Sequence, residues 1–229
     1  MRILALETST EYCSVALCQD GAVIDHGEQV GQRHSEVLMP MLDEMLSLAH
    51  VTLRQLDGIA FGAGPGSFTG VRIACGVAQG LALGAELSVI GVCTLLALAQ
   101  ASGQDKVIAA LDARMAEVYH AAYEKRGEIW LTVCEPGLCL PQEAPMVAGA
   151  GWFGAGSGFI AHGAALRARY AANLAGVDQQ AVPQARAIAQ LALPLFAAGR
   201  GMNAAEALPL YLRDKVALKT SERGNPVSS

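Results

Sequence analysis

The chain carries the same strand-rich pattern twice, and this repeat constrains its fold more than any other feature. Apolar runs at residues 3–7 and 13–18 flank the polar segment TSTEY, which predicts a strand, a turn and an antiparallel strand. Residues 106–124 repeat this pattern, and a third strand follows in each half. The first strand ends at a carboxylate in both halves, Glu7 and Asp112. We therefore predict an α/β protein with two similar halves.

Helices follow each set of strands. One amphipathic helix begins after QRH, with Ser35 as the expected N-cap and Glu36 in the first turn, where a carboxylate complements the helix dipole. A buried strand over 57–63 then leads through a glycine-rich loop into a helix over about 67–85. The remaining predictions are a strand over 87–93 and helices over 94–101, 160–172, 184–199 and within 203–216, the last ending at Pro209.

The pattern is interrupted once, at the polar segment ASGQD. We therefore predict an N-terminal subdomain at 1–103, which contains the first two helices, and a C-terminal subdomain at 104–219. The polar residues 220–229 are predicted to be a disordered tail.

Composition excludes several classes of protein. The 229 residues are 52% hydrophobic and carry a net charge of -5 without basic clusters, so a broad nucleic-acid footprint is not expected. The N-terminus is too polar for a signal peptide, and Arg72, Gln79 and Glu86 interrupt the apolar region 71–101, which favours buried core over a membrane span. We predict a cytoplasmic protein whose six cysteines remain reduced.

The glycine-rich loop FGAGPGSFTGVRIACG resembles a phosphate-binding loop without matching one. Neither Gly62 nor Gly64 has a glycine five residues later, and there is no lysine between 55 and 105, so a Walker loop is excluded. Ser67 occupies the last glycine position of a dinucleotide fingerprint. Two alternatives stay open: anion binding at a helix N-terminus, or a tight turn between strand and helix.

Catalytic and metal-binding patterns are weak. Glu7 and Asp112 at two strand ends suit either a hydrated Mg²⁺ or local turn roles. The five histidines have no HxxxH or HExxH spacing, so no metal site is predicted. Ser157 falls one position late for a nucleophile elbow, so hydrolase chemistry is not predicted either.

The first two helices have unusually wide apolar surfaces. On a helical wheel the apolar residues of 36–49 span roughly 200°, whereas a surface helix needs about 100°. The second helix carries rows of glycine and alanine at i+4 spacing, which allow close approach of a neighbour. Tight packing within the chain is one explanation, and we favour a helix interface with another protein. The residues predicted to form it are Val37, Leu38, Met41, Leu42, Met45, Gly70, Ile73, Ala74, Val77 and Leu81.

Several motifs together resemble one family. ILALETST, QRHSEVLMPML, FGAGPGSFTGVRIA, LDARMAEVYHAAYE and EALPLYLRD occur in the order typical of the TsaB (YeaZ) family, which functions in tRNA threonylcarbamoyladenosine biosynthesis, and the resemblance covers about residues 1–216. It implies two ribonuclease-H-like subdomains of the actin, sugar kinase and heat-shock ATPase superfamily.

The resemblance also implies a function without catalysis. The paralogue TsaD carries a metal-binding HxxxH after a GV dipeptide, where this chain has Thr94 and Leu98. Transfer of a threonylcarbamoyl group to adenosine 37 of tRNA would therefore belong to TsaD, with this chain as a scaffold whose first two helices pack against TsaD. The implied assembly also contains the ATPase subunit TsaE, tRNA is contacted only indirectly, and the isolated chain forms a homodimer.

The resemblance implies no cofactor of the chain's own, although ATP or ADP at a subunit boundary stays open. Residues of a vestigial nucleotide site would be Glu7, Thr8, Gly64, Gly66 and Asp112. The alternative is an active ATP-binding kinase or ATPase of the same superfamily. For the scaffold function, Met41→Glu or Leu42→Glu is expected to abolish partner binding without unfolding the chain.

Overall fold

The computed structural model describes residues 1–213, which form two mixed β-sheets flanked by helices. The strands are β1 (Arg2–Glu7), β2 (Tyr12–Gln19), β3 (Ala22–Gln29), β4 (Gly58–Gly64), β5 (Ser88–Cys93), β6 (Lys106–Asp112), β7 (Val118–Arg126), β8 (Ile129–Cys139), β9 (Trp152–Ala155), β10 (Leu174–Asp178) and β11 (Met202–Asn203). The helices are α1 (His34–Leu48), α2 (Phe68–Ala85), α3 (Thr94–Ala101), α4 (Gly158–Ala161), α5 (Gly163–Arg169) and α6 (Ala185–Ala197).

The two sheets repeat one topology. The first has the order β11-β5-β4-β1-β2-β3 and the second β10-β9-β6-β7-β8. Each sheet contains an antiparallel meander, β1-β2-β3 in the first and β6-β7-β8 in the second. Two further strands lie beside the first strand of each meander and run parallel to it, β4 and β5 in the first sheet and β9 and β10 in the second. The predicted α/β fold with two similar halves is confirmed.

The central strand β1 is apolar on both faces because both are covered. Leu4 and Leu6 point into a core shared with α1 and α2, whereas Ile3 and Ala5 pack in a core shared with α6. Alternate side chains of a strand point to opposite faces, so a strand with a helix layer on each side must be apolar throughout. The same rule gives β6 its run VIAAL, whose alternate residues enter two different cores.

The chain returns to the first sheet after leaving it. Helix α6 packs against β1, β2 and β4, and β11 pairs with β5. The predicted division at 104–219 therefore needs correction, because residues 185–203 complete the first subdomain. The reason is burial: α6 turns Ala185, Ile188 and Ala192 onto the apolar sheet face that α1 and α2 leave uncovered.

Three local predictions were wrong. Ser35 is not the N-cap, because α1 begins at His34 and no side chain caps it. The helix predicted over 160–172 is two short helices separated at His162. The helix predicted within 203–216 is only a 3-10 turn at Ala204–Glu206, followed by an extended segment to residue 213. The predicted tail at 220–229 lies outside the described residues.

One described helix, α2, has the length and composition of a membrane span, with 18 residues and a mean hydropathy of 1.3. Core helices of soluble proteins meet the same criteria, so this observation is weak. Ala74, Ala78 and Ala82 of α2 are fully buried in the core beside the first sheet, as in a core helix.

Candidate functional site

Helix α1 places most of its predicted interface residues inside the chain's own core. Leu38, Met41, Leu42 and Met45 are buried, and only Val37 is partly exposed. The prediction that these four side chains meet another protein is therefore corrected, and so is the expectation that Met41→Glu or Leu42→Glu would not unfold the chain, because the charge would lie in the core. A helical wheel counts apolar residues but not their neighbours, and α1 is covered by β2, β3 and α2 together, which accounts for its wide apolar arc.

Helix α2 is divided between core and surface. Of its predicted interface residues, Gly70 and Ala74 are buried, whereas Ile73, Val77 and Leu81 are only partly buried at the edge of the core. We define the open face of α2 as these three half-buried residues and the exposed glycines that lie beside them on the helix. The exposed glycines are Gly76, Gly80 and Gly84.

The three exposed glycines have no packing role in the isolated chain. A Cβ placed at Gly76, Gly80 or Gly84 would meet no atom within 4 Å. Glycine inside a helix costs about 1 kcal/mol relative to alanine, so three of them lower stability by roughly 3 kcal/mol. Within residues 1–213 no atom occupies the space that side chains at these three positions would fill. The open face therefore suits the close approach of a helix from another protein.

The buried glycines allow close packing of backbone segments within the chain. The Gly70 backbone lies against Thr8, whose hydroxyl donates a 2.7 Å hydrogen bond to the Gly70 carbonyl. A Cβ at Gly66 would lie 2.5 Å from the Ser9 carbonyl oxygen, which also accepts a 2.7 Å hydrogen bond from the Ser67 N–H. The glycine-rich loop thus packs closely against the chain's own β1–β2 turn. These contacts account for the loop as a tight turn, and anion binding at the N-terminus of α2, which borders a cleft, stays a prediction.

Glu7, the last residue of β1, is enclosed within the chain. It is fully buried, and its Oε1 accepts a hydrogen bond from the Ser9 N–H while Oε2 has no partner among the described residues. Burial raises the pKa of the Glu7 carboxyl from 4.5 to about 7, against the smaller opposing effect of the hydrogen bonds from Ser9. A Cβ at Gly62 would overlap this carboxyl group. A half-neutral, enclosed carboxyl does not suit an open Mg²⁺ site.

A cleft of about 920 Å³ lies between the two halves. Of the predicted nucleotide residues, Gly66 and Asp112 line it, whereas Glu7, Thr8 and Gly64 do not. The predicted nucleotide residues are therefore only partly brought together. Asp112 pairs with Arg114 at 3.2 Å and approaches His162 at 3.6 Å, which leaves its carboxylate engaged within the chain.

The two positions where the TsaD paralogue carries its metal-binding histidines hold no histidine in this chain. Thr94 and Leu98, one turn apart on α3, are both fully buried. Among residues 1–213 no group of three His, Cys, Asp or Glu side chains lies close enough to hold a metal ion.

Sequence reasoning missed the extended segment after β11. Residues 207–213, which we call the strap, run along α2 to the cleft, where Arg213 pairs with Glu117 at 2.7 Å. The alternation of leucine with other residues in LPLYLR, together with Pro209, is more typical of an extended segment than of a helix.

Known proteins similar to this chain share both its sequence and its fold. Residues 26–219 match the family described as TsaD, tRNA N6-adenosine threonylcarbamoyltransferase. The chain is 39% identical to the tRNA threonylcarbamoyladenosine biosynthesis protein TsaB of Escherichia coli (strain K12), covering 96% of this chain and 97% of that protein. It is 38% identical to TsaB of Haemophilus influenzae, with 96% of each chain covered.

Two solved structures agree with these relatives. A Pseudomonas aeruginosa protein described as similar to peptidase YeaZ superimposes with a TM-score of 0.86 at 40% identity, over 93% of this chain and 99% of that one. The structure described as YeaZ from Pseudomonas aeruginosa gives a TM-score of 0.83 at 39% identity, over 92% and 99% of the two chains. Because sequence and fold agree along nearly the whole length, this chain belongs to the TsaB family, also called YeaZ.

Proposed function

We propose that this chain is a non-catalytic, cytoplasmic subunit of the machinery that transfers a threonylcarbamoyl group to adenosine 37 of tRNA. Its task is to pair, through the open face of α2 and Val37 of α1, with a TsaD-type catalytic paralogue. Membership in the TsaB family supports the pathway, since its relatives are named for tRNA threonylcarbamoyladenosine biosynthesis.

The exposed glycines carry the pairing proposal. Gly76, Gly80 and Gly84 recur every four residues on one side of α2, and Ile73 and Val77 lie beside them as partly buried apolar contacts. Helices whose facing residues lack side chains can approach until backbone atoms touch, which increases van der Waals contact. The same face is expected to hold two copies of the chain together when the paralogue is absent.

The reactive centre is assigned to the partner for chemical reasons. Thr94 and Leu98 cannot act as the strong imidazole ligands of the paralogue's HxxxH motif. The Glu7 carboxyl is enclosed, and Asp112 is engaged by Arg114. A TsaE-type ATPase would join the pair, tRNA would be contacted through the partner, and the chain would hold no nucleotide of its own away from a subunit boundary.

Reconstitution tests this proposal. The purified chain, the TsaD-type protein of the same organism and both together are supplied with tRNA, threonylcarbamoyl-adenylate and the TsaE-type ATPase with ATP, and modified adenosine and complex mass are measured. Modification is expected only with both proteins, together with a mass corresponding to a complex. Modification by the chain without its paralogue would contradict the proposal.

A further measurement on the chain alone tests the alternative of an active kinase or ATPase. The cleft between the two halves is the observation that favours this alternative. ATP with Mg²⁺ is expected to leave the Tm unchanged and to remain unhydrolysed. A ligand that binds only the folded state at 100 times its Kd would stabilise it by about 2.7 kcal/mol, so a clear rise in Tm would revive the alternative.

A further inference from the structure

The strap, residues 207–213, is extended but firmly attached to the first subdomain. The Ala207 carbonyl accepts a 3.0 Å hydrogen bond from the Gln79 side chain of α2. The Leu210 N–H donates a 2.7 Å hydrogen bond to the Ala63 carbonyl at the end of β4. Gly64 lets the strap come this close, because a Cβ there would lie 2.9 Å from the Leu210 carbonyl oxygen.

The far end of the strap is attached to the second subdomain. The Arg213 guanidinium forms an ion pair with Glu117 at 2.7 Å and donates a 3.0 Å hydrogen bond to the Ala113 carbonyl. Residues 114–116 between these two partners all have positive φ, from 53° to 62°, although none is glycine. This conformation is unfavourable for L-residues, so contacts at both its ends are needed to hold it.

Despite these attachments, the strap exposes large apolar side chains. Leu208 is 76% exposed and Tyr211 48% exposed, and Phe68 at the start of α2 is 52% exposed. Arg72 lies between the two aromatic rings, 3.3 Å from the Phe68 centroid and 4.7 Å from the Tyr211 centroid. Cation–π contacts of this kind favour this arrangement of the two rings in the chain alone.

The strap also lies directly beside the open face of α2. Ala207 is bound to Gln79, the neighbour of Gly80, and Tyr211 stands over Arg72, one turn before Gly76. A helix laid on the exposed glycines would therefore have Leu208 and Tyr211 along one side.

We infer that the strap forms a second wall of the partner-binding surface, in which Leu208 and Tyr211 contact the TsaD-type paralogue. This inference rests on the proposed function and extends it to a segment outside both helices. Three observations carry it: the strap continues the open face of α2, its backbone is fixed at both ends, and its exposed side chains are apolar or aromatic. Tyrosine and arginine are enriched among the residues that dominate interface affinity, and fixed side chains lose little entropy on binding.

Binding affinity tests the inference. The full chain and its variants Leu208→Ser and Tyr211→Ala are titrated with the TsaD-type protein of the same organism. Each substitution is expected to raise Kd about tenfold, which corresponds to about 1.4 kcal/mol. The control is Ile129→Ser in β8, because Ile129 is 67% exposed but belongs to the second sheet. The control is expected to bind like the parent.

The outcomes separate the two claims. If the parent chain binds and both strap variants bind within twofold of it, the strap inference is overturned while the proposed pairing stands. If the parent chain does not bind at all, the proposed pairing itself fails. Both replaced side chains are well exposed, so an unchanged Tm is expected and shows that any lost affinity comes from the surface.

Discussion

Replacing Gly80 with leucine is expected to leave the folded chain at least as stable as the parent and to weaken its binding to the TsaD-type protein by about 100-fold, or about 2.7 kcal/mol. Leucine is the better helix former, and the position is open within the chain, so no internal clash opposes the gain. A partner helix in contact with the glycine backbone would be displaced by the new side chain. Urea unfolding and titration calorimetry measure the two effects on the same protein.

Two controls distinguish this explanation from a general effect of substitution. Ala168→Leu adds a similar side chain to an exposed position of α5 and is expected to change neither quantity. Gly70→Ala is expected to destabilise the chain by about 2 kcal/mol, because the new methyl would collide with the Thr8 carbonyl. A Gly80→Leu chain that binds the TsaD-type protein normally would show that the open face is not the contact.

The second large effect is a pH dependence of stability caused by Glu7. The folded chain keeps a proton on this carboxyl up to about pH 7, whereas the unfolded chain releases it near pH 4.5. The folded state therefore binds more protons in this interval, and the stability that Glu7 contributes is complete below pH 4.5 and lost as pH rises towards 7. The total loss is on the order of 3 kcal/mol. Glu7→Gln cannot ionise and is expected to lack this dependence.

Urea unfolding from pH 4.5 to 8 checks the effect as a difference between the parent chain and Glu7→Gln, which cancels the titration of all other groups. The parent is expected to lose stability relative to the variant as pH rises. Glu44→Gln, which changes an exposed carboxylate of α1 away from its first turn, is the matched control and is expected to follow the parent. A constant difference between parent and Glu7→Gln would mean that the carboxyl is not held neutral by burial.

Much of the fold could be predicted because its determinants are local. The length and apolar character of the runs predict β1, β2, β6 and β7, and the repeat of those runs predicts two similar halves. The loop before α2 also has a local cause, since Ser67 caps the helix by accepting a hydrogen bond from the Gly70 N–H.

The rest depends on contacts between distant parts of the chain. The sequence near residue 185 does not show that α6 covers the first sheet. The apolar face that α6 covers is formed by β1 and β2, which are far away along the chain. The course of the strap along α2 depends on distant groups, because the Ala63 carbonyl accepts a hydrogen bond from its backbone and the Gln79 side chain donates one to it. The interface prediction included residues of α1 that are buried within the chain, since a helical wheel does not show what covers each side of a helix.

Hydrogen exchange of the chain, alone and with the TsaD-type protein, tests the central claim most directly. Slower exchange is expected in α2 over residues 68–85 and in the strap over 207–213, with no change in β8 over 129–139. Unchanged exchange in α2, together with protection confined to the second sheet, would contradict the pairing of the two proteins through the open face of α2.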